Sequence, residues 1–189
     1  HPSRVSDPSV LVTDEGERED LLNCAEAFAR HAGDITLRYF GGRLRADLKA
    51  DGTPVTDADR EAASVLRDDI LARFPDHGVV GEEFGITNPD ARIRWIVDPI
   101  DGTNSFVRGV PLYGVLIGVE IDSQPVVGVA HFPALAETVV AAAGLGCRWN
   151  AQPANVSSVD SLSEAALLTT DLKNSLTHPN SSGFAALTK

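Results

Sequence analysis

The run Trp95-Ile96-Val97-Asp98-Pro99-Ile100-Asp101-Gly102-Thr103 constrains this chain more than any other stretch. It begins as an apolar, β-prone segment and closes on two carboxylates three residues apart, followed at once by Gly-Thr. A proline cannot donate a ladder hydrogen bond, so the strand is expected to stop at Pro99 and the chain to turn. On an uninterrupted strand Asp98 and Asp101 would point to opposite faces; a turn lets both carboxylates converge on one side. Converging carboxylates can hold a hard cation, and the Gly-Thr backbone can offer N–H groups to an anion beside it. A lone D-x-x-D is most often a capped surface turn. Here a second acidic pair, Glu82-Glu83, also follows an apolar run, Val79-Val80-Gly81. Open sheets commonly gather ligands beyond strand ends.

The surrounding sequence supplies helices to cover such a sheet. Leu21, Leu22, Ala25, Phe28, Ala29 and Ala32 recur at helical spacing. The pattern predicts a first helix capped by Thr13, with acidic residues in its first turn, and ended by Gly41-Gly42. A short strand is expected over 43–49, then a turn at Asp51-Gly52-Thr53-Pro54. A second helix is expected over 57–74, with Ala62, Val65, Leu66 and Ile70 as its buried stripe and Pro75 as its stop. Thr56-Asp57-Ala58-Asp59 reads as its N-cap and acidic first turn, which leaves Asp59 open to a second role. Strand-like runs follow at 79–81, 94–97, 113–121, 126–132 and 138–143, with a turn at Ser123-Gln124-Pro125 and another apolar run at 165–170. The expected architecture is α+β, with helices packed on one mainly antiparallel sheet. An irregular arm is expected at 1–12, the folded domain at 13–171, and a polar segment at 172–189.

Composition limits the chemistry. Lys and Arg number 16 against 27 Asp and Glu, a formal charge of −11. Such a surface argues against a nucleic-acid face, which needs a basic patch. An anionic substrate would need local positive charge, and metal ions can supply it. Oxygen-only ligation favours Mg²⁺ or Mn²⁺ over Zn²⁺. His31, His77 and His131 share no metal-ligand spacing, and no motif offers a covalent nucleophile. No apolar stretch is long enough for a bilayer and no secretion signal is present, so no membrane association is expected. Cys24 and Cys147 are too few for a disulfide framework, which points to a reducing cytoplasm. The chain has no Met, so it is expected to start downstream of its natural beginning.

Three ordered segments, Pro54-Val55-Thr56-Asp57-Ala58-Asp59, Gly81-Glu82-Glu83 and Trp95–Thr103, resemble the inositol monophosphatase family. These are Mg²⁺-dependent, lithium-sensitive phosphomonoesterases. The resemblance covers about residues 14 to 170 and implies the N-terminal half of an αβαβα sandwich. It implies that Glu82, Asp98 and Asp101 are metal ligands, with Asp98 bridging two Mg²⁺ ions and the Ile100 carbonyl completing one shell. Mn²⁺ would substitute. Thr103 would orient the attacking water with Glu82, and Asp59 would share that task or hold a weak third ion. Gly102 and Thr103 N–H groups would contact phosphate, and Lys49 would lie near the metals. The physics agrees: two cations about 4 Å apart can activate water on one side of phosphorus and stabilise the leaving oxygen on the other.

The text Phe106-Val107-Arg108-Gly109-Val110-Pro111-Leu112-Tyr113 looks more like the histidinol-phosphatase branch than the inositol branch. That makes L-histidinol phosphate the expected substrate and Arg108 a candidate contact, though a strand-edge arginine would look the same. Inositol-1-phosphate and other sugar or nucleotide monoesters are the alternatives. The family also carries a Trp-Asp motif in a second half, whereas Trp95 and Trp149 here precede Ile and Asn. A half-domain acting as a binding or regulatory module is therefore the competing expectation. Homodimerisation is expected from family habit.

Overall fold

The computed structural model describes residues 14–42, 46–48, 54–166, 168 and 183, and only the backbone at 46–48, 54 and 55. The arm at 1–12, the Thr13 cap, Lys49, Asp51 to Thr53 and nearly all of 172–189 lie outside the described residues. The chain divides into two compact units, His1–Ala154 and Asn155–Lys189.

In the first unit, helix α1 spans Glu15–Tyr39, with Asp14 at its N-cap. Glu15 and Glu17 suit the positive end of its dipole, and Arg38 suits the other. Gly41, at φ +77°, follows the last turn. A hairpin of β1 (Ala46–Leu48) and β2 (Pro54–Thr56) leads directly into α2, Asp57–Arg73. Helix α2 buries Ala62, Leu66 and Ile70 as expected; Val65 is half-buried.

The sheet has eight strands. They are β3 (Gly78–Gly81), β4 (Gly85–Thr87), β5 (Ile93–Asp101), β6 (Gly114–Ile121), β7 (Gln124–Phe132), β8 (Glu137–Ala142), β9 (Gly146–Trp149) and β10 (Gln152–Pro153). Their order is β10-β9-β8-β7-β6-β5-β3-β4. Neighbours pair antiparallel except β3 and β5, which run parallel. Helices α1 and α2 contribute Leu21, Ala25, Ala29, Leu66 and Ile70 to one core with Val79, Trp95, Val115, Ile117 and Val129 from the sheet. The alternation of buried and half-buried residues along β6 shows one face turned to the helices. Trp95 is fully buried, stacks on Phe74 at 5.5 Å, and donates from Nε1 to His77 Nδ1 at 3.1 Å.

Several local expectations change. The β6–β7 turn is Asp122-Ser123, one residue earlier than expected, because Ile121 pairs with Gln124. Both turn residues have positive φ, 51° and 63°, the twist that a two-residue hairpin needs. Strand β5 does not end at Pro99 but runs on to Asp101. In the second unit Ala165, Ala166 and Leu168, from the apolar run 165–170, are not in a strand, and the rest of that run lies outside the described residues. That unit instead shows a turn in which Glu164 N–H donates to the Ser161 carbonyl at 3.1 Å.

Candidate active site

The acidic segments meet because β3 and β5 are parallel neighbours. Gly81 registers with Val97, so Glu82 leaves β3 at the level where β5 reaches Asp98. Between Asp98 and Asp101 the β5–β6 ladder shifts: Asp98 faces Leu116 and Asp101 faces Gly114. Three steps on β5 thus match two on β6, which is a β-bulge. Leu116 and Gly114 lie on the same face of β6, so the extra residue returns Asp101 to the face of Asp98. The bulge, rather than a strand end at Pro99, puts the two positions on one face. Proline is tolerated there because a bulge needs no ladder donor from it.

Local hydrogen bonds fix the segment. Asp98 Oδ1 accepts from Ile100 N–H at 3.1 Å, and Thr103 Oγ1 donates to the Ile100 carbonyl at 3.0 Å. Gly102 sits at φ 83° and ψ 38°, where a side chain is strained, and a Cβ there would stand 3.2 Å from the Leu112 carbonyl oxygen. The short helix α3, Thr103–Phe106, follows. Arg108 is in the turn after α3, not on a strand edge, and its Nη1 donates to the Asn104 carbonyl at 2.9 Å and to Asn104 Oδ1 at 2.8 Å.

Phe84 folds over Gly81, where a Cβ would meet Phe84 Cζ at 2.5 Å, and the Arg67 guanidinium lies 5.5 Å from the Phe84 ring centre. These contacts close the turn that carries Glu82 and Glu83. Asp59 is buried at the start of α2, and its Oδ2 accepts from Thr56 N–H at 2.7 Å and Thr56 Oγ1 at 2.6 Å. The expected cap is thus a full capping box. Behind the acidic corner Ala58, Ile100, Phe106 and Tyr113 pack together. This brings the neighbours of Asp59, Asp101 and Thr103 into one small cluster.

A profile of the inositol monophosphatase family matches residues 17–187. The chain belongs to that family. It is 44% identical over 160 residues to a histidinol-phosphatase of Chlorobaculum parvum, covering 84% of this chain and 62% of that protein. It is 45% identical over 154 residues to a histidinol-phosphatase of Mycobacterium tuberculosis, covering 78% and 59%. The extragenic suppressor protein suhB of Bartonella henselae matches in structure with a TM-score of 0.72 at 31% identity, over 76% of this chain and 57% of that one. The chain therefore spans about three fifths of the length of these relatives.

The inositol monophosphatase family is generally metal-dependent. The donor set at this corner has the chemistry that a hard divalent cation takes: the Glu82, Asp98 and Asp101 carboxylates and the Ile100 carbonyl are all oxygen donors. Among the described residues no three His, Cys, Asp or Glu side chains stand close enough together to form a ready cage. Sequence reasoning missed the bulge, α3 and the aromatic cluster. Pro99 is the residue that signals a departure from a regular strand there.

Proposed function

We propose that this chain carries the cation-binding corner of a phosphomonoesterase that hydrolyses a small phosphate monoester, with L-histidinol phosphate as substrate. The observation that carries the reading is the β5 bulge, which puts Asp98 and Asp101 on one face beside the exit of β3. Glu82, Asp98, Asp101 and the Ile100 carbonyl would hold Mg²⁺, with Mn²⁺ as substitute. Bound cations would neutralise phosphate charge and supply a stronger nucleophile at neutral pH.

The chain's own groups do the positioning. Thr103 gives its hydroxyl proton to the Ile100 carbonyl, so its lone pairs are left to accept from a water. Asp59, fixed by Thr56, shares in orienting that water, and Glu82 takes up the one proton it loses. Gly102 and Thr103 N–H groups donate to phosphate oxygens. Arg108, held by Asn104, contacts the substrate alcohol's polar groups, and Lys49, which lies outside the described residues, is the further substrate contact that the family resemblance implies. The residues 106–113 and the two relatives named histidinol-phosphatase support the choice of substrate. Two cysteines that form no disulfide accord with a cytoplasmic setting. Exposed Ile96 and Ile86 on the sheet support a homodimer.

Phosphate release in Mg²⁺ tests the reading. It predicts kcat/KM at least about tenfold higher for L-histidinol phosphate than for inositol-1-phosphate, the discrimination a few specific contacts give. Equal values would overturn the substrate. Cation binding without turnover of any monoester would favour the binding-module reading.

A further inference from the structure

Residues at the C-terminal end of α1 touch the start of α2, the end of α3 and the residue before β6, yet none of them is a candidate ligand. Thr36 is fully buried; its Oγ1 donates to the Gly33 carbonyl at 2.8 Å and lies 3.0 Å from Tyr113 Oη. Tyr39 Oη donates to Glu61 Oε2, and Arg38 Nη2 reaches Glu61 Oε1 at 3.0 Å. Glu61 stands two residues after Asp59 on α2. The Phe40 ring lies 5.8 Å from Phe106 and 5.2 Å from Tyr113, and those two rings meet edge-on at 4.7 Å. Phe106 ends α3, which starts at Thr103. Tyr113 adjoins Gly114, the ladder partner of Asp101, and packs beside Gly102.

We propose that the last turn of α1, through Thr36, Tyr39 and Phe40, is a positioning device for the acidic corner. It ties the start of α2, the β5 bulge with α3, and the start of β6 to one frame. The inference rests on the proposed cation site. Its physical basis is that carboxylates bind a cation well only when held in place, and a four-residue helix after a bulge cannot hold itself. The contacts of Phe40 and Tyr113 fix the Ile100–Thr103 segment from behind, and Tyr39 fixes the turn that bears Asp59. Phe40, Tyr39 and Tyr113 are thus positioning residues.

Mn²⁺ binding by electron paramagnetic resonance, with melting curves on the same samples, tests this. Phe40→Ala and Tyr113→Phe should each weaken Mn²⁺ binding about tenfold, the lower end of the effect of losing a supporting contact. Phe40→Leu should recover part of the loss. Phe28→Leu, which disturbs a ring 5.8 Å from Trp95 in the main core, should lower the melting temperature and leave Mn²⁺ affinity unchanged. Wild-type affinity in Phe40→Ala and Tyr113→Phe, alongside loss of binding in Asp98→Asn, would overturn the positioning device and leave the cation site standing. No Mn²⁺ uptake by the wild-type chain would overturn both.

Discussion

Two packed clusters in this molecule do different work. The large one joins α1 and α2 to one sheet face through Leu21, Ala25, Leu66, Trp95, Val115 and Ile117. Its members alternate along strands and recur along helices, so many near-equivalent contacts share the load. The small one has four buried members, Ala58, Ile100, Phe106 and Tyr113, drawn from α2, β5, α3 and the residue before β6. Ala58, Ile100 and Phe106 each lie within three residues of another candidate site residue, and Tyr113 adjoins Gly114, the ladder partner of Asp101. Stability is concentrated in the first cluster and site geometry in the second.

Substitutions can separate the two. Trp95→Ala removes a fully buried ring that stacks on Phe74 and should cost about 3–5 kcal/mol in chemical denaturation. Cation affinity measured well below the melting point should hardly change; a large drop would merge the two clusters into one. Gly102→Ala forces a side chain into φ 83° beside the Leu112 carbonyl, at about 1–2 kcal/mol. That smaller loss should come with clearly weaker cation binding, the reverse of Trp95→Ala. Thr56→Ala removes the side-chain half of the capping box and should cost about 1 kcal/mol in urea unfolding, leaving the Asp59 carboxylate held by the backbone N–H of residue 56 alone. Turnover that survives Asp59→Asn intact would remove Asp59 from the site.

The smallest effect is on pH. Burial pushes both His77 and His131 below the ordinary histidine value of 6.5. His77 Nδ1 accepts from Trp95, and His131 Nδ1 lies 2.9 Å from Thr138 Oγ1. The unfolded chain therefore binds more protons than the folded one as pH falls through 6.5. Stability should be fully present above that value and decline towards the lowered folded values. Melting curves from pH 7.5 to 5.5 should show the decline, and His131→Gln should reduce it. A profile unchanged by that substitution would clear His131 of any part.

Much of the large cluster was legible in the sequence because it is periodic. The helix over 57–74 and the runs at 79–81, 94–97 and 138–143 fall on α2, β3, β5 and β8, since burial of one face imposes a regular spacing. The carboxyl end of β3 is legible for the same reason, whereas β5 runs past Pro99 to Asp101. The small cluster was not. A bulge is a mismatch between two strands, and Gly114 and Leu116 say nothing about it until they are paired with Asp101 and Asp98. Phe40, Phe106 and Tyr113 are far apart in sequence and share no period. The sequence puts Asp98 and Asp101 on one side by a strand end at Pro99, whereas β5 continues to Asp101 and the ladder shifts between them. The extra residue in the ladder is what aligns them.

Titration calorimetry with Mg²⁺ on the wild-type chain and on Asp98→Asn is the most direct test of the acidic corner. The account predicts saturable binding by the wild type and its loss in Asp98→Asn, with melting temperatures that agree closely. Equal Mg²⁺ binding by the two proteins would contradict it.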